Sequence, residues 1–234
     1  MLDSKYQRFY DEIVKKIKKE KIFTDKLHTL AYGTDASFYR LIPKIVIKTD
    51  NAKEVQDIIE LSNSLNLSIT FRAGGTSLSG QAISDSILVI TSRNFSNFKI
   101  APDASYISLQ PALTGAQVNG LLARYSKKIG PDPASINAAM IGGIAANNAS
   151  GMCCGISQNS YKTLKSMKLI FADGAKLDTG CSESKDAFRK SHGDFLNDLK
   201  SFSQDTKNNE PLRAKIERKF KIKNTCGYSI NALI

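Results

Sequence analysis

The sequence lacks the features that would place the protein in a membrane. Its longest apolar stretch, around Ala138–Ala146, contains two glycines and is shorter than half of the ~20 residues that a membrane-spanning helix needs. The segment that follows Met1 also lacks the basic, apolar and small-residue order of a secretory signal. We therefore expect a cytoplasmic protein without a transmembrane helix.

Metal-binding patterns are also scarce. The four cysteines form no C-x-x-C pair, and His28 and His192 are the only histidines. A zinc or iron–sulfur site needs a cluster of such ligands. The sequence therefore predicts no metal site in this chain, and in the reducing cytosol the cysteines are expected to be reduced, mostly structural thiols.

Acidic residues are outnumbered, since 33 Lys and Arg stand against 22 Asp and Glu, which gives a net charge of +11 over 234 residues. Such a charge is typical of proteins that bind nucleic acid or an anionic membrane. However, eight of the eleven charges lie in residues 1–30 and 200–234. We interpret them as solvated helix faces, and a basic non-enzymatic module that binds nucleic acid or a membrane remains an alternative.

Apolar spacing predicts a mixed α+β fold. Residues from Ser4 to about Lys21 have one apolar stripe, which indicates an N-terminal amphipathic helix. The strand Ile45–Ile47, a helix capped by Thr49 or Asp50, and the strand Leu67–Phe71 form a βαβ unit. Further strands are predicted at Ile87–Thr91, around Ile107–Leu109 and in a hairpin over Met167–Leu177, and further helices at Thr114–Tyr125, Lys185–Phe202 and Glu210–Lys221.

Two glycine-rich motifs stand out. The first, Arg72–Gly80, follows a predicted strand, and the second is Ile141–Gly151. Consecutive N–H groups in such loops can form an anion-binding nest. Neither motif has the order of a P-loop or of a dinucleotide dehydrogenase, and Arg72 is the only basic residue in either. This favours backbone binding of two linked phosphates over a nucleic-acid surface.

These motifs resemble those of the flavoproteins that share the PCMH-type, or vanillyl-alcohol-oxidase type, FAD-binding domain. The second motif is preceded by Gly130-Pro131-Asp132-Pro133, and further similarity lies at Pro43–Ile47, at Ala172–Gly174 and at Lys223–Leu233. The resemblance extends from about Ala31 to the end. It implies two α/β lobes, at residues 31–100 and 101–234, after an N-terminal helical segment at 1–30, with a charged helical insertion at about 182–222.

The resemblance also implies which residues hold FAD. One group surrounds the pyrophosphate and its linker, and the other closes on the opposite side, with Pro131 and Asp132 near the flavin ring. The implied cofactor-binding residues are Arg72, Ala73, Gly74, Gly75, Thr76, Ser77, Leu78, Ser79, Gly80, Gln81, Pro131, Asp132, Ile141, Gly142, Gly143, Ala146, Asn147, Asn148, Ser150 and Gly151. Thr76 stands where some relatives attach flavin through histidine, so FAD is expected to be non-covalent.

Within the family, the chain is most similar to the N-terminal part of FAD-linked D-lactate dehydrogenases. The implied reaction is hydride transfer from a D-2-hydroxy acid, most specifically D-lactate, to the N5 atom of flavin, with a quinone or an iron–sulfur module as electron acceptor. Glycolate, D-2-hydroxyglutarate or another alcohol are alternative substrates. No catalytic residue is assigned in this chain, because His28 and His192 lie outside any ligand cluster.

The chain ends in a stretch that such relatives continue into a substrate domain. We therefore expect a truncated FAD domain that is inactive alone, with any iron–sulfur cluster in the missing part. No nucleic-acid partner is expected, and a peripheral contact with the inner face of the cytoplasmic membrane is left open.

Overall fold

A computed structural model describes residues 2–222 and 229–234 of the chain. Contacts divide it into two compact units. The first unit comprises Met1–Lys128, Ser135–Gly143 and Ala172–Gly174, and the second comprises Ile129–Ala134, Ile144–Phe171 and Ala175–Ile234. The lobe boundaries expected from the sequence refer to the FAD-binding fold and not to a division by contacts. They therefore stay predictions.

The first unit is built on a four-stranded sheet. In chain order its strands are β1 (Ile22–Phe23), β2 (Ile45–Thr49), β3 (Ile69–Arg72) and β4 (Ile87–Thr91). Their spatial order is β1-β2-β4-β3, so that β4 lies between the two strands of the βαβ unit and pairs with both in parallel. β1 pairs with β2 in the antiparallel direction. The predicted N-terminal helical segment therefore also contributes an edge strand.

Helices cover the sheet because alternate strand residues face opposite sides. One face of the sheet packs against the helices α1 (Ser4–Ile13) and α3 (Ala52–Ser64), and the opposite face contacts Tyr32, which follows the helix α2 (Lys26–Ala31). The larger core cluster comprises Phe9, Ile13, Ile17, Ile22, Ile45, Ile47, Ile58, Ile87 and Val89. The N-terminal amphipathic helix is thus confirmed, but it ends at Ile13 and not near Lys21.

The rest of the first unit comprises an antiparallel pair, β5 (Phe98–Ile100) and β6 (Ile107–Leu109), and the helix α4 (Gly115–Ala123). Thr114 caps α4, and its side chain and that of Gln117 form a reciprocal capping box. The cap of α3 is Asn51, whose side chain accepts a hydrogen bond from the N–H of Glu54. The expected caps Thr49 and Asp50 were therefore wrong by one or two residues.

The second glycine motif begins as a short helix, α5 (Ile141–Ala146), and not as a loop. The second unit then contains α6 (Ser160–Thr163), the antiparallel pair β7 (Lys168–Ile170) and β8 (Lys176–Asp178), and the helices α7 (Ser182–Ser191), α8 (Gly193–Asn208) and α9 (Glu210–Phe220). The predicted hairpin is confirmed. The single helix expected over 185–202 is instead two helices, which separate at His192.

The similarity at Lys223–Leu233 falls largely on Lys223–Tyr228, which lies outside the described residues. None of the helices within residues 2–222 and 229–234 combines the length and the apolar character needed to cross a bilayer.

Candidate FAD-binding site

The first glycine motif forms the loop that leaves the carboxyl end of β3. Gly75 and Gly80 adopt left-handed backbone, with φ angles of +65° and +71°. The Ser77 hydroxyl shapes the loop because it accepts hydrogen bonds from the N–H groups of Ser79 and Gln81, at 3.2 and 3.3 Å. It also donates to the side-chain oxygen of Gln81 at 3.2 Å.

The backbone N–H groups of this loop are available to a ligand. For residues 74–78, no hydrogen-bond acceptor is found among the described residues. Most buried N–H groups in proteins have a partner, and these residues are half-buried apart from the exposed Leu78. A run of consecutive N–H groups in a bent backbone is suited to an anion.

Arg72 lies beneath the loop and does not project freely into solvent. Its Nη1 atom donates hydrogen bonds to the carbonyl oxygens of Thr34 and Tyr32, at 2.6 and 3.3 Å. A Cβ atom on Gly75 would lie 2.6 Å from the Nη2 atom of Arg72, so the guanidinium packs directly against the glycine. Burial lowers the pKa of Arg72, although the nearby Asp35 carboxylate opposes this, and the guanidinium remains a cation.

The two glycine motifs meet within the first unit. A Cβ atom on Gly74 would overlap the carbonyl oxygen of Ala138, and one on Gly143 would lie 3.7 Å from the Cβ atom of Ala73. Gly142 packs on Pro111, whose Cβ atom would be 2.8 Å from an added Cβ. Because these glycines lack side chains, their backbone can approach the neighbouring segments closely.

In the second unit, Asp132 organises the turn that follows the second motif. Its carboxylate accepts hydrogen bonds from the N–H groups of Cys153 and Cys154, at 3.1 and 3.2 Å. Its hydrogen bonds with Cys154 and Cys153 lower the pKa of Asp132 despite partial burial. A Cβ atom on Gly151 would overlap Asp132, so this glycine is required for the contact. Pro131 is buried beside it.

Asn148 joins two further segments of the second unit. Its Nδ2 atom donates to the Ser229 hydroxyl at 2.7 Å, and its Oδ1 atom accepts from the N–H of Tyr161 at 3.0 Å. These two bonds hold a residue with a left-handed φ of 42°. Ala146 and Asn147 are exposed, whereas Ser150 is half-buried.

Asn148 and Ser150 also line a cavity of about 170 Å³ in the second unit. The other lining residues are Ile156, Asn159, Lys162, Phe220, Ile222, Ser229 and Asn231. Lys162 is the only charged residue among them.

The cysteine thiols that the structure describes, at positions 153, 154 and 181, are free. Cys153 is exposed and Cys154 is buried, with its Sγ atom accepting from the N–H of Gly151 at 2.9 Å. No group of three or more His, Cys, Asp or Glu side chains arranged to hold a metal ion is found in the part of the chain that the structure describes.

Comparison with known proteins identifies the domain. The family described as FAD binding domain matches residues 43–180, which is more than half of the chain and includes both glycine motifs. The chain belongs to this FAD-binding domain family. FAD is therefore the cofactor that the two motifs imply.

Named relatives of this FAD-binding domain are flavin oxidoreductases of hydroxy acids. A D-2-hydroxyglutarate dehydrogenase of Haemophilus influenzae is 26% identical over 172 residues, which cover 70% of this chain and 16% of that protein. The glycolate oxidase subunit GlcD of Escherichia coli is 28% identical, covering 66% and 32%. A D-lactate dehydrogenase of Archaeoglobus fulgidus is 26% identical, covering 58% and 31%. The chain thus spans a third or less of the length of these relatives.

Solved structures support the same fold. Alkyldihydroxyacetonephosphate synthase has a TM-score of 0.65 at 18% identity, covering 79% of this chain and 39% of that one. p-Cresol methylhydroxylase has a TM-score of 0.65 at 14% identity, covering 79% and 38%. Similarity at this identity concerns the fold alone, and it confirms the expected PCMH-type α+β architecture.

The first unit also contains a contact that the motifs do not reveal. Asp35 lies nearly forty residues before the first glycine loop, yet its Oδ2 atom accepts a hydrogen bond from the N–H of Ala82 at 3.2 Å, at the end of that loop. Its Oδ1 atom accepts from the N–H of Ser37 at 2.8 Å. An Asp followed two residues later by Ser is the sequence signal for such a turn, but the signal does not indicate the distant contact.

Proposed function

We propose that this chain binds FAD non-covalently through its two glycine motifs, as part of an oxidoreductase that oxidises a D-2-hydroxy acid, D-lactate before glycolate or D-2-hydroxyglutarate. The observation that carries the FAD site is the run of backbone N–H groups at residues 74–78, for which the described residues offer no acceptor. The family match over residues 43–180 supports the cofactor.

The first loop suits a pyrophosphate in charge. It contains no acidic residue between Arg72 and Gln81, and the guanidinium of Arg72 lies against Gly75. A phosphate bound by several N–H groups needs no lysine beside it. Thr76 cannot form the histidyl link to flavin, which supports non-covalent binding.

The remaining residues of the proposed site come from the second motif and from the Gly130–Pro133 segment that precedes it. Gly143 lies beside the first loop within the first unit, where it is exposed and its added Cβ would lie 3.7 Å from the Cβ atom of Ala73, whereas Gly142 packs on Pro111. We propose Ala146, Asn147, Asn148, Ser150 and Gly151, together with Pro131, Asp132 and Ile141, as further cofactor contacts. Among these, the Asn147 amide and the Ser150 hydroxyl form no hydrogen bond with the described residues.

The chemistry follows from the cofactor, since bound FAD supplies the two-electron oxidation of the carbinol carbon to a ketone. The residues of this chain bind and orient the cofactor. The proposal leaves substrate binding, the removal of the hydroxyl proton and the electron acceptor, a quinone or an iron–sulfur module, to other parts of the protein.

A pair of matched glycine variants tests the FAD site. Gly143 in α5 and Gly120 in α4 are both helical glycines with room for a side chain, but only Gly143 borders the first loop. We expect Gly143→Val to raise the Kd for FAD by about tenfold or more, whereas Gly120→Val leaves it unchanged. The measurement is a flavin fluorescence titration of the purified 234-residue chain, with thermal unfolding to show that both variants fold.

Two results would contradict this assignment. Equal FAD affinity of the wild type and Gly143→Val would show that the cofactor does not approach this glycine. A wild-type chain that retains no flavin absorption after incubation with FAD and gel filtration, and binds duplex DNA with a steep salt dependence, would instead support the basic module.

Gene disruption tests the substrate. In cells that carry this gene, extracts are assayed for oxidation of D-lactate, D-2-hydroxyglutarate and glycolate with an artificial electron acceptor. We expect disruption to abolish D-lactate oxidation, and the wild-type gene, but not the Gly143→Val gene, to restore it. Loss of another activity in its place would refute D-lactate as the substrate, and loss of none would refute the hydroxy-acid assignment.

A further inference from the structure

A short segment outside the matched residues 43–180 packs against the first glycine motif. We name residues 33–41 the brace segment. It closes on itself through a hydrogen bond from the N–H of Leu41 to the carbonyl of Gly33, at 3.1 Å, and through an antiparallel bridge between Thr34 and Arg40. The brace segment is therefore a compact loop whose two ends lie together.

The brace segment holds the start of the glycine loop. The N–H of Ala36 donates to the carbonyl oxygen of Gly75 at 3.0 Å, and Arg72 donates to the carbonyl oxygen of Thr34 at 2.6 Å. The peptide group between Gly75 and Thr76 is planar and trans. Because its carbonyl faces the brace, its N–H points away from the brace, toward the side where a ligand could approach.

Asp35 holds the end of the same loop. Its two carboxylate oxygens accept from the N–H of Ser37, inside the brace, and from the N–H of Ala82, just after the loop. Ala82 is buried, with 8% of its surface exposed. The ring of Tyr39, also in the brace segment, packs against Gly80 near the end of the loop, since a Cβ atom added to Gly80 would lie 3.0 Å from it.

We infer that Asp35 is a positioning residue, which holds in place the loop that carries the free N–H groups of residues 74–78 by fixing both the brace segment and the residue after the loop. The role as a cofactor-positioning residue rests on the proposed function. Neighbouring Arg72 supplies a positive charge that favours the ionised carboxylate, so the charge and the hydrogen bonds of Asp35 act on the same loop. Without this carboxylate, the N–H of Ala82 has no other acceptor among the described residues.

The test compares Asp35→Ala and Asp35→Asn with Asp103→Ala. Asp103 is the matched control, because it forms the same kind of turn with Ser105, accepting from its N–H at 3.1 Å and its hydroxyl at 2.8 Å, but contacts no part of the glycine loop. The first readout is amide hydrogen exchange of Ala36, measured by NMR on the FAD-free chain. This N–H reports on docking of the brace because it donates to Gly75 and not to Asp35 itself.

We expect Asp35→Ala to speed exchange at Ala36 by about tenfold or more and to raise the Kd for FAD by a similar factor. Asp35→Asn keeps one acceptor oxygen and should restore much of the protection, while Asp103→Ala should match the wild type in both measurements. The exchange of amides in the central strand β4 serves as a reference for global stability.

Exchange at Ala36 that is equal in Asp35→Ala and Asp103→Ala would overturn the inference. An equal acceleration at Ala36 and throughout β4 would also overturn it, since Asp35 would then support the whole unit and not the loop. If the wild-type chain does not bind FAD at all, the proposed function fails, whereas the exchange measurement still decides whether Asp35 positions the loop.

Discussion

Lys21 is predicted to stabilise the first unit through two largely buried ion pairs. Its ammonium group lies 2.9 Å from a carboxylate oxygen of Asp50 and 2.5 Å from one of Glu54. Only 13% of the Lys21 side chain is exposed, against 26% and 15% for the two acids. Asp50 also accepts a hydrogen bond from the Ser92 hydroxyl, at the end of β4. Lys21 thus joins the N-terminal segment to the carboxyl edge of the sheet.

Replacing Lys21 by Met leaves two largely buried carboxylates close together without their cation. Breaking a buried ion pair costs 3–5 kcal/mol, and because these groups retain some exposure we expect about 3 kcal/mol, the low end of that range. For a chain of this size, such a loss lowers Tm by about 6–12 °C. Urea and thermal unfolding followed by far-UV circular dichroism measure both quantities.

The control is Lys18→Met, at a lysine 4.0 Å from Glu20 with both side chains at least 75% exposed. An exposed pair contributes ~0–1 kcal/mol, so this variant should lose little stability.

A change of pH should alter the stability that these ion pairs contribute. Hydrogen bonds from Ser92 and Lys21 lower the pKa of Asp50 although burial opposes them. The contribution of Asp50 is therefore present at neutral pH and lost as the pH falls below about 4.

The difference in unfolding free energy between the wild type and Lys21→Met should accordingly shrink in acid, because protonated Asp50 no longer needs a cation. Hydrogen bonds to Glu54 and Asp50 also raise the pKa of Lys21 against its burial, so the difference should persist until the pH exceeds about 10. Equal losses for Lys21→Met and Lys18→Met at neutral pH would refute this reasoning.

Three further predictions concern single side chains. Gly74→Ala should lower the free energy of unfolding by about 1–3 kcal/mol in urea titrations, because its Cβ would overlap the carbonyl of Ala138; an unchanged value would contradict the close packing of Gly74 on Ala138. Thr114→Ala removes one half of a capping box and should cost about 1 kcal/mol, whereas Thr114→Ser should not. Phe38→Ser should leave Tm unchanged in a thermal scan, since Phe38 is fully exposed, and a lower Tm would show that its ring packs on the protein.

The sequence allowed the elements of the first unit to be predicted wherever burial and periodicity agree. β2 and β4 are continuous β-branched or leucine-rich runs that are buried on both faces, and α3 has a clear apolar face. The helix α1 is shorter than predicted. The prediction extended it because Ile17 continues its apolar spacing, and Ile17 is indeed buried with 1% exposure. However, Ile17 reaches the core from a turn after the helix. Periodicity shows which residues are buried but not the backbone that brings them there.

The glycine motifs were predicted as phosphate-binding segments from their composition, and the first was correctly predicted as a loop after a strand, but the helical start of the second was not predicted. Gly142 and Gly143 lie in a short helix, because their neighbours Ile141 and Ile144 continue a helical pattern and the glycines allow contact with Pro111 and Ala73. The contact of Asp35 with Ala82 spans 47 residues. No local pattern encodes such a pairing, so only the folded chain reveals which segment supports the loop.

The structure also bears on the peripheral membrane contact that the sequence left open for the basic N-terminus. Phe9, Ile13 and Ile17 are fully buried in the core of the first unit, and burying such side chains contributes about 1.5–3 kcal/mol each. Moving them into a bilayer would exchange one apolar environment for another and would gain nothing from hydrophobic transfer. Electrostatic attraction alone would then have to bring α1 to the membrane, yet Lys16 and Lys21 are already paired with acids of their own unit. The apolar face of α1 is therefore better explained as part of the core of the first unit than as a membrane anchor.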